Sequence, residues 1–501
     1  MSQLKKGAIL SYVTIILTNG IGIVLTPFMI SRLGDSEYGL YTLIGATVGY
    51  ISVLDLGLNN TIIRFTAKYR ALDDKAGEEN FLATTMLIYL AISAISVILG
   101  ICLYFNLESV FDKLTQVELE KARIMFVILI FNLAITLPGN AFQAICSAYE
   151  HFVFPRALNI VRYVVRSIML VAILLLHGDS VSIVILDTIV NISVIGLTAF
   201  YVFSKLKARF RLHSFERQLI RQIFSYSIWI FIFAMVAQFQ WKAGQIIVGS
   251  ISGTLPVAVY GNGILLGTYY GAFSTAISSV FLPRATSMTV KNATSEELTT
   301  MMIRIGRFSL LSLLLILGGF LLYGQQFILL WVGPVYHEAW AIALIVMFSY
   351  TMPLVQSFAN SMLEARGKFS FKAITYISLI GLGTVFGTWL YYRMGLIGLI
   401  LGSTSGWVLS QVIMNFYFDR VLKLDILRFF KELLQGLLPV FLVVLLLGYL
   451  VNMIPGNGWL NLCLKIFVFL CIFIIMMGRL GLHASERQTL TGMLPGFLRK
   501  R

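Results

Sequence analysis

Charge is what this sequence has least of. Only 12% of its 501 residues are Asp, Glu, Lys or Arg, against roughly 25% in an ordinary globular chain. A soluble body of this size has more surface than so few charges can cover, which excludes a soluble enzyme and a disordered chain. Cysteine is scarce as well. The four present, at 102, 146, 463 and 471, form no CxxC pair and no disulfide framework. Five histidines show no metal-ligand spacing. There is no P-loop and no nucleophile elbow, so ATP hydrolysis and acyl transfer have no visible machinery. The run Gly261-Asn-Gly263-Ile-Leu-Leu-Gly267 has no βαβ context and is not a dinucleotide fingerprint. The sequence implies no cofactor and no metal, and a transporter rather than an enzyme.

What is abundant is apolar: 58% of residues, with a mean hydropathy of +0.86. A bilayer core asks for roughly 20 apolar residues per helix. On that rule about fourteen spans are expected, from 8–30 and 40–63 through 433–453 and 459–478. The net charge of +15 is spread over short gaps between these runs, with no basic arm for nucleic acid. Among Lys and Arg, only Arg32, Lys113, Lys121, Arg123 and Arg393 fall in loops assigned to the outside. Only Arg162, Arg166, Lys242 and Lys465 fall within spans. The rest lie in alternate, inner segments, which predicts an even span count and both termini cytoplasmic.

The most basic loop follows span six and suggests a seam. Ser147-Ala-Tyr-Glu150, then Phe152-Val-Phe154-Pro-Arg156-Ala157, recurs as Ser361-Met-Leu-Glu364, then Phe369-Ser-Phe371-Lys372-Ala373. Gly34 and Tyr41 echo in Gly253 and Tyr260. Six spans per half is even, so the halves share one orientation about an axis along the membrane normal. The expected organisation is an all-α integral membrane protein. It has an N-lobe over 1–204, a basic linker over 205–224 and a C-lobe over 225–419. Spans thirteen and fourteen follow over 420–480, then a tail over 481–501. Each lobe has six helices, and the last two spans form an added pair.

Three motifs carry a family resemblance: Arg32-Leu-Gly34-Asp-Ser-Glu37-Tyr38-Gly39-Leu-Tyr41 after span one, Asp55-Leu-Gly57-Leu in span two, and Trp331-Val-Gly333-Pro334 after span nine. They resemble the Wzx-type polysaccharide flippases of the multidrug/oligosaccharidyl-lipid/polysaccharide exporter superfamily. The resemblance implies a flippase of the bacterial inner membrane. It would move an undecaprenyl-diphosphate-linked repeat unit from the cytoplasmic to the periplasmic leaflet, for O-antigen, capsule or exopolysaccharide. Its implied partners are that lipid-linked glycan, membrane lipids, and polysaccharide polymerase and chain-length machinery.

Polar residues within the spans have their own reading. A charge at mid-bilayer costs about 2.5–3.5 kcal/mol on insertion scales, so it faces a cavity or a partner. Arg162 and Arg166, at i and i+4, share a face; they either attract a diphosphate or form a structural pair with Asp55. Gln238, Lys242 and Gln245 make a polar stripe on span seven, where Lys242 faces a cavity or snorkels. Asn132, Thr136 and Asn140 on span four, and Ser52, Asp55 and Asn59 on span two, suit a sugar or glue helices together. Asp187 belongs near the outer end of span six, as an interfacial acid or as a charge-pair or coupling group. Lys465 is expected to snorkel. Glycine pairs 383/387 and 402/406 predict close helix packing. A multidrug exporter of the same superfamily is the transporter alternative. A membrane polymerase or glycosyltransferase is the enzyme alternative, and no long outer loop here carries its site.

Overall fold

A computed structural model describes residues 3–215, 217–290, 293–366, 370–483 and 486–487. Phe369 of the second repeat motif and most of the 481–501 tail lie outside these residues. The helices, in chain order, are α1 (Gln3–Leu33), α2 (Asp35–Ser52), α3 (Leu58–Ala71), α4 (Lys75–Val110), α5 (Gln116–Ala148) and α6 (Val153–Leu175). Next come α7 (Ser180–Tyr201), α8 (Arg217–Trp241), α9 (Ala243–Ser252), α10 (Thr254–Val290), α11 (Ser295–Trp331) and α12 (His337–Val355). The last are α13 (Ser357–Ala365), α14 (Ser370–Leu422), α15 (Ile426–Leu434), α16 (Leu437–Val451) and α17 (Trp459–Met476). Among the described residues there is no strand. The chain is an all-α, multi-pass membrane protein.

Ten helical runs are long and apolar enough to cross a bilayer among the described residues, or up to eleven with the bent α8–α9 pair as one span. That measure does not reach fourteen. One reason is α14, whose 53 residues are two helices merged across Gly395 at φ 60°, ψ −143°. Helix starts follow capping chemistry. Asp74, Asp179 and Asp425 accept the amides of Gly77, Ser182 and Arg428. Thr115 with Glu118, and Thr294 with Glu297, form reciprocal capping boxes. Each such cap contributes about 1 kcal/mol.

Two compact units emerge. The first comprises Met1–Gly261 and Ala373–Ser403, the second Asn262–Lys372 and Thr404–Arg501. Both α10 and α14 pass from one unit into the other. In the first unit α5 packs against α2, α3, α4 and α7, and α6 packs against α1 and α7. In the second, α11 packs against α12, α15, α16 and α17. The glycine expectation holds within the first unit. A Cβ on Gly402 would stand 2.2 Å from the Gly387 Cα, so the two limbs of the α14 hairpin meet backbone to backbone.

The repeated motifs share local geometry. Gly34 and Gly253 both sit just before a helix with left-handed φ of 82° and 81°. Phe154 stacks on Tyr201 with ring centroids 3.9 Å apart. Phe371 stacks on Tyr417 at 4.4 Å. The same ring contact therefore recurs in each unit, about 216 residues on.

Candidate functional site

The motif after span one is a junction of helix ends in the first unit. Glu37 accepts the Lys121 ammonium at 2.8 Å and the Ser180 amide and hydroxyl at 2.9 Å each. It thus places a carboxylate at the start of α7, where exposed amides favour an anion. Lys121 also pairs with Asp179 at 3.3 Å. Burial pushes the Asp179 carboxyl up, but the Ser182 amide and hydroxyl and the Lys121 ammonium together hold it below the ordinary carboxylate range. Gly39 leaves room for the chain after Gly253: a Cβ there would lie 2.0 Å from the Thr254 carbonyl oxygen. Thr254 in turn donates to Glu118 at 2.7 Å.

Four residues further on, Tyr41 reaches into the membrane. Its hydroxyl donates to Asp187 at 3.2 Å, and Arg166 donates to the same hydroxyl at 3.3 Å. Arg166 and Asp187 form a two-pronged ion pair, Nε–Oδ1 2.5 Å and Nη2–Oδ2 2.9 Å. This corrects the structural pairing of Arg166 with Asp55, one of the two readings the sequence left open. The cause is hairpin geometry. Arg166 lies nine residues before the end of α6 and Asp187 seven after the start of α7. At 1.5 Å per residue the two sit at matching depths of about 14 and 10 Å. Arg162, one turn away, is half-buried and makes no hydrogen bond or ion pair among the described residues.

Two helix breaks interrupt the spans of this unit. The expected continuous span 40–63 is interrupted. Val53–Asp55 form a 3-10 turn, followed by Leu56 at φ 52° and Gly57 at φ 66°. This is the Asp-Leu-Gly motif, and it brings Asp55 to a bend. There Asn140 donates to Asp55 Oδ1 at 3.5 Å, and Tyr89 interacts electrostatically with the same carboxylate. The second break is at Lys242, between α8 and α9, with a 43° bend. Helix α8 packs against the Val53–Asp55 turn. The Tyr50 hydroxyl donates to the Gln238 carbonyl at 3.2 Å, and the Tyr50 and Phe239 rings meet edge to face at 5.8 Å.

Lys242 is half-buried, and its ammonium has no hydrogen-bond or ion-pair partner among the described residues. It stands at the N-terminus of α9, so its charge adds to the positive end of that helix. On either side, the side-chain carbonyl oxygens of Gln238 and Gln245 are buried and have no hydrogen bond among the described residues, as is true of Asn59 beyond the first break. The result is a cation flanked by free acceptors on broken helices. An anion satisfies the lysine; hydroxyl or amide donors satisfy the glutamines.

The Asn132 stripe is engaged differently. Asn191 donates to Asn132 Oδ1 at 2.7 Å and to the Thr136 hydroxyl at 2.6 Å, tying α7 to α5. Asn191 and Tyr89 were not singled out in the sequence, because each looks like an ordinary residue of an apolar run, and Tyr41 stood out only as part of a repeated motif. Among its described residues the second unit holds two buried cations. Lys465 does not snorkel: it is 6% exposed and donates to Gln326, which donates to Asn461. Arg307 bonds the Glu486 carboxylate at 2.5 and 3.1 Å and the carbonyls of Glu432, Gln435 and Gly481. The same unit also buries an amide chain in which Gln411 donates to Gln356 and Gln356 to Asn415.

A family model described as polysaccharide biosynthesis protein matches residues 4–289. Among curated proteins nothing matches. Among solved structures, a lipid II flippase, MurJ, in an inward closed conformation superposes with a TM-score of 0.72 at 14% identity. The match covers 94% of this chain and 98% of that one. An inward-facing multidrug resistance MATE transporter of the MOP superfamily gives 0.62 at 15% identity, covering 86% and 99%. A MOP superfamily transporter from Pyrococcus furiosus gives 0.53 at 14%, covering 85% and 96%. At such identities the likeness is one of fold.

Proposed function

The chain belongs to the polysaccharide biosynthesis protein family, and from that premise we propose that it is a flippase for an undecaprenyl-diphosphate-linked oligosaccharide. The cargo would pass from the cytoplasmic to the periplasmic leaflet of a bacterial inner membrane, for O-antigen, capsule or exopolysaccharide. The observation that carries this reading is the pair of helix breaks in the first unit. At the second break Lys242 has no charge partner among the described residues and stands between glutamine side-chain oxygens that are buried there without a bond. A diphosphate supplies the anion and the attached sugars supply the donors. Arg162 on α6, a second cation without a partner among the described residues, would attract the headgroup nearer the cytoplasmic end. Arg166 is already matched by Asp187 and orients helices.

Alternating access of the two sequence halves would carry the headgroup through, while the polyprenyl chain stays in lipid. The fold shared with a lipid II flippase supports cargo of this chemical kind. The test is transport of labelled undecaprenyl-diphosphate oligosaccharides across proteoliposomes containing the purified protein, read by exposure of the sugar to an impermeant glycosidase. Protein-dependent exposure that falls in Lys242→Ala is expected. No exposure of any such glycan by well-folded protein refutes the reading.

One observation favours a second reading, a multidrug exporter: Asp55 is a carboxylate at a bend within the membrane, in a fold shared with MATE transporters. Efflux of organic cations that Asp55→Asn abolishes, without glycan movement, would select it.

A further inference from the structure

The second unit buries a lysine for which its neighbours supply no acid. Lys465 is 6% exposed, on the buried stripe of α17 that it shares with Leu462, Phe469 and Phe473. Its one bond among the described residues is to Gln326, at 3.2 Å. Gln326 then donates to Asn461 at 3.1 Å, and Asn461 to the Pro455 carbonyl at 3.1 Å. The elements packed against α17 offer no counter-charge nearby. Helices α16 and α17, the 452–458 turn between them and the 477–481 turn contain no Asp or Glu. The acids of α11, Glu296 and Glu297, are in its first turn. Glu297 stands 29 residues before Gln326, about 44 Å along the helix. We propose that this corner binds the phosphodiester of a phospholipid in the outer leaflet. The proposal goes beyond the flippase reading and does not depend on it, since none of these residues belongs to the helix breaks.

Neutral amide dipoles do not cancel a full charge, and a cation buried without its counter-ion is costly. An ammonium carries three donors, and only one is used by Gln326. Lys465 stands six residues into α17, about 9 Å from its start, and a helical side chain leans toward the N-terminus of its helix. That end has no side-chain cap. Its N-cap is Gly458 at φ 144°, so the amides of the first turn add their partial positive charge to that of the lysine. Phe327 stacks on Trp331 at 5.3 Å and meets Trp459 edge to face at 6.3 Å, the side-chain chemistry of headgroup depth. On the other side of α17, Leu460, Leu464 and Phe467 are exposed and give acyl chains an apolar surface. Charge selects the ligand. A phosphodiester is a monoanion and balances one lysine, whereas a diphosphate would leave excess negative charge in the apolar bundle.

The test uses the full-length protein purified in detergent, read by native mass spectrometry and thermal unfolding. The probes are dioleoyl phosphatidylglycerol, dioleoylglycerol as its phosphate-free counterpart, and sodium chloride. Wild type should retain phosphatidylglycerol and not the diacylglycerol, and its unfolding temperature should rise with phosphatidylglycerol. Lys465→Met removes the charge and keeps an unbranched side chain. It should abolish that rise and lower retention roughly tenfold or more, the usual weight of a hydrogen bond to a charged group. Lys465→Arg keeps the charge and should retain the lipid. Arg393→Gln removes a charge from an exposed residue of the first unit and should leave retention within about twofold, because solvent screens such a charge. Equal retention of both lipids by wild type, equal loss in Lys465→Met and Arg393→Gln, or a rise given by sodium chloride in place of the lipid would overturn the proposal. So would a Lys465→Met protein that is less stable in detergent alone yet binds phosphatidylglycerol as wild type does; the lysine would then only tie α17 to α11.

Discussion

Arg166 and Asp187 make a quantitative test of how charge is handled within the first unit. Their two bonds, 2.5 and 2.9 Å, put the charge centres about 4 Å apart. At an effective dielectric of about 20 that geometry gives roughly 4 kcal/mol of attraction. Both side chains keep about a quarter of their surface exposed, 23% and 24%, which trims the figure through solvent screening. Breaking a buried pair by removing one partner costs about 3–5 kcal/mol, whereas polar pairs between membrane helices measure below about 2. The two-pronged geometry and the Tyr41 bridge place this pair between the two figures. We therefore expect Arg166→Gln and Asp187→Asn each to cost about 2–3 kcal/mol. The double variant should lose less than their sum, with a coupling of about 2 kcal/mol, or roughly 30-fold in the folding equilibrium. Reversible unfolding in mixed micelles over the four-protein cycle measures it. Glycan export by the double variant should stay near wild type once abundance is matched. Additivity within about 0.5 kcal/mol would refute the coupling. Lost export at normal abundance would instead give Arg166 to the cargo.

Lys242→Arg, Lys242→Ala and Lys242→Glu should lower export in that order at unchanged abundance; full export by a normally expressed Lys242→Ala variant would remove the lysine from the pathway. Arg162→Gln should reduce export with little change in stability, the opposite pattern to Arg166→Gln. Reporters fused after Lys75, Leu212, Asn292 and Arg501 should read cytoplasmic and those after Lys113 and Val335 periplasmic, and a periplasmic reading at Arg501 would end the fourteen-span scheme. The Asp179 carboxyl is held below its ordinary range, so its contribution is present above about pH 4 and is lost as pH falls through the depressed value. Thermal unfolding of wild type and Asp179→Asn in detergent should therefore converge on acidification; a gap that persists unchanged to pH 2 would contradict this.

The membrane class and all-α fold were legible because hydropathy is a property of each segment by itself. Repeats were legible where they involve turns and rings: Gly34 and Gly253, Phe154 and Phe371. Partner choice was not. The sequence offered Asp55 as the acid that could pair with Arg166. Counting instead from the α6–α7 turn selects Asp187. The break at Asp55 was written as Asp-Leu-Gly, yet hydropathy windows read straight across it. Lys465 looked interfacial because its partner Gln326 is 139 residues away, and nothing in a local window anticipates such a bond.

Arg307 has a consequence in time. Its guanidinium gathers groups from three later segments, the farthest 179 residues downstream. At 5–20 residues per second of synthesis, that final partner emerges roughly 10–35 seconds after the arginine. Throughout that interval, the charge and the carbonyls at the end of α15 must be served by water or by the insertion machinery. Closure of this corner is therefore one of the last events in making the protein, and a ribosome that stops short of Glu486 leaves a cation inside an apolar bundle without its counter-charge.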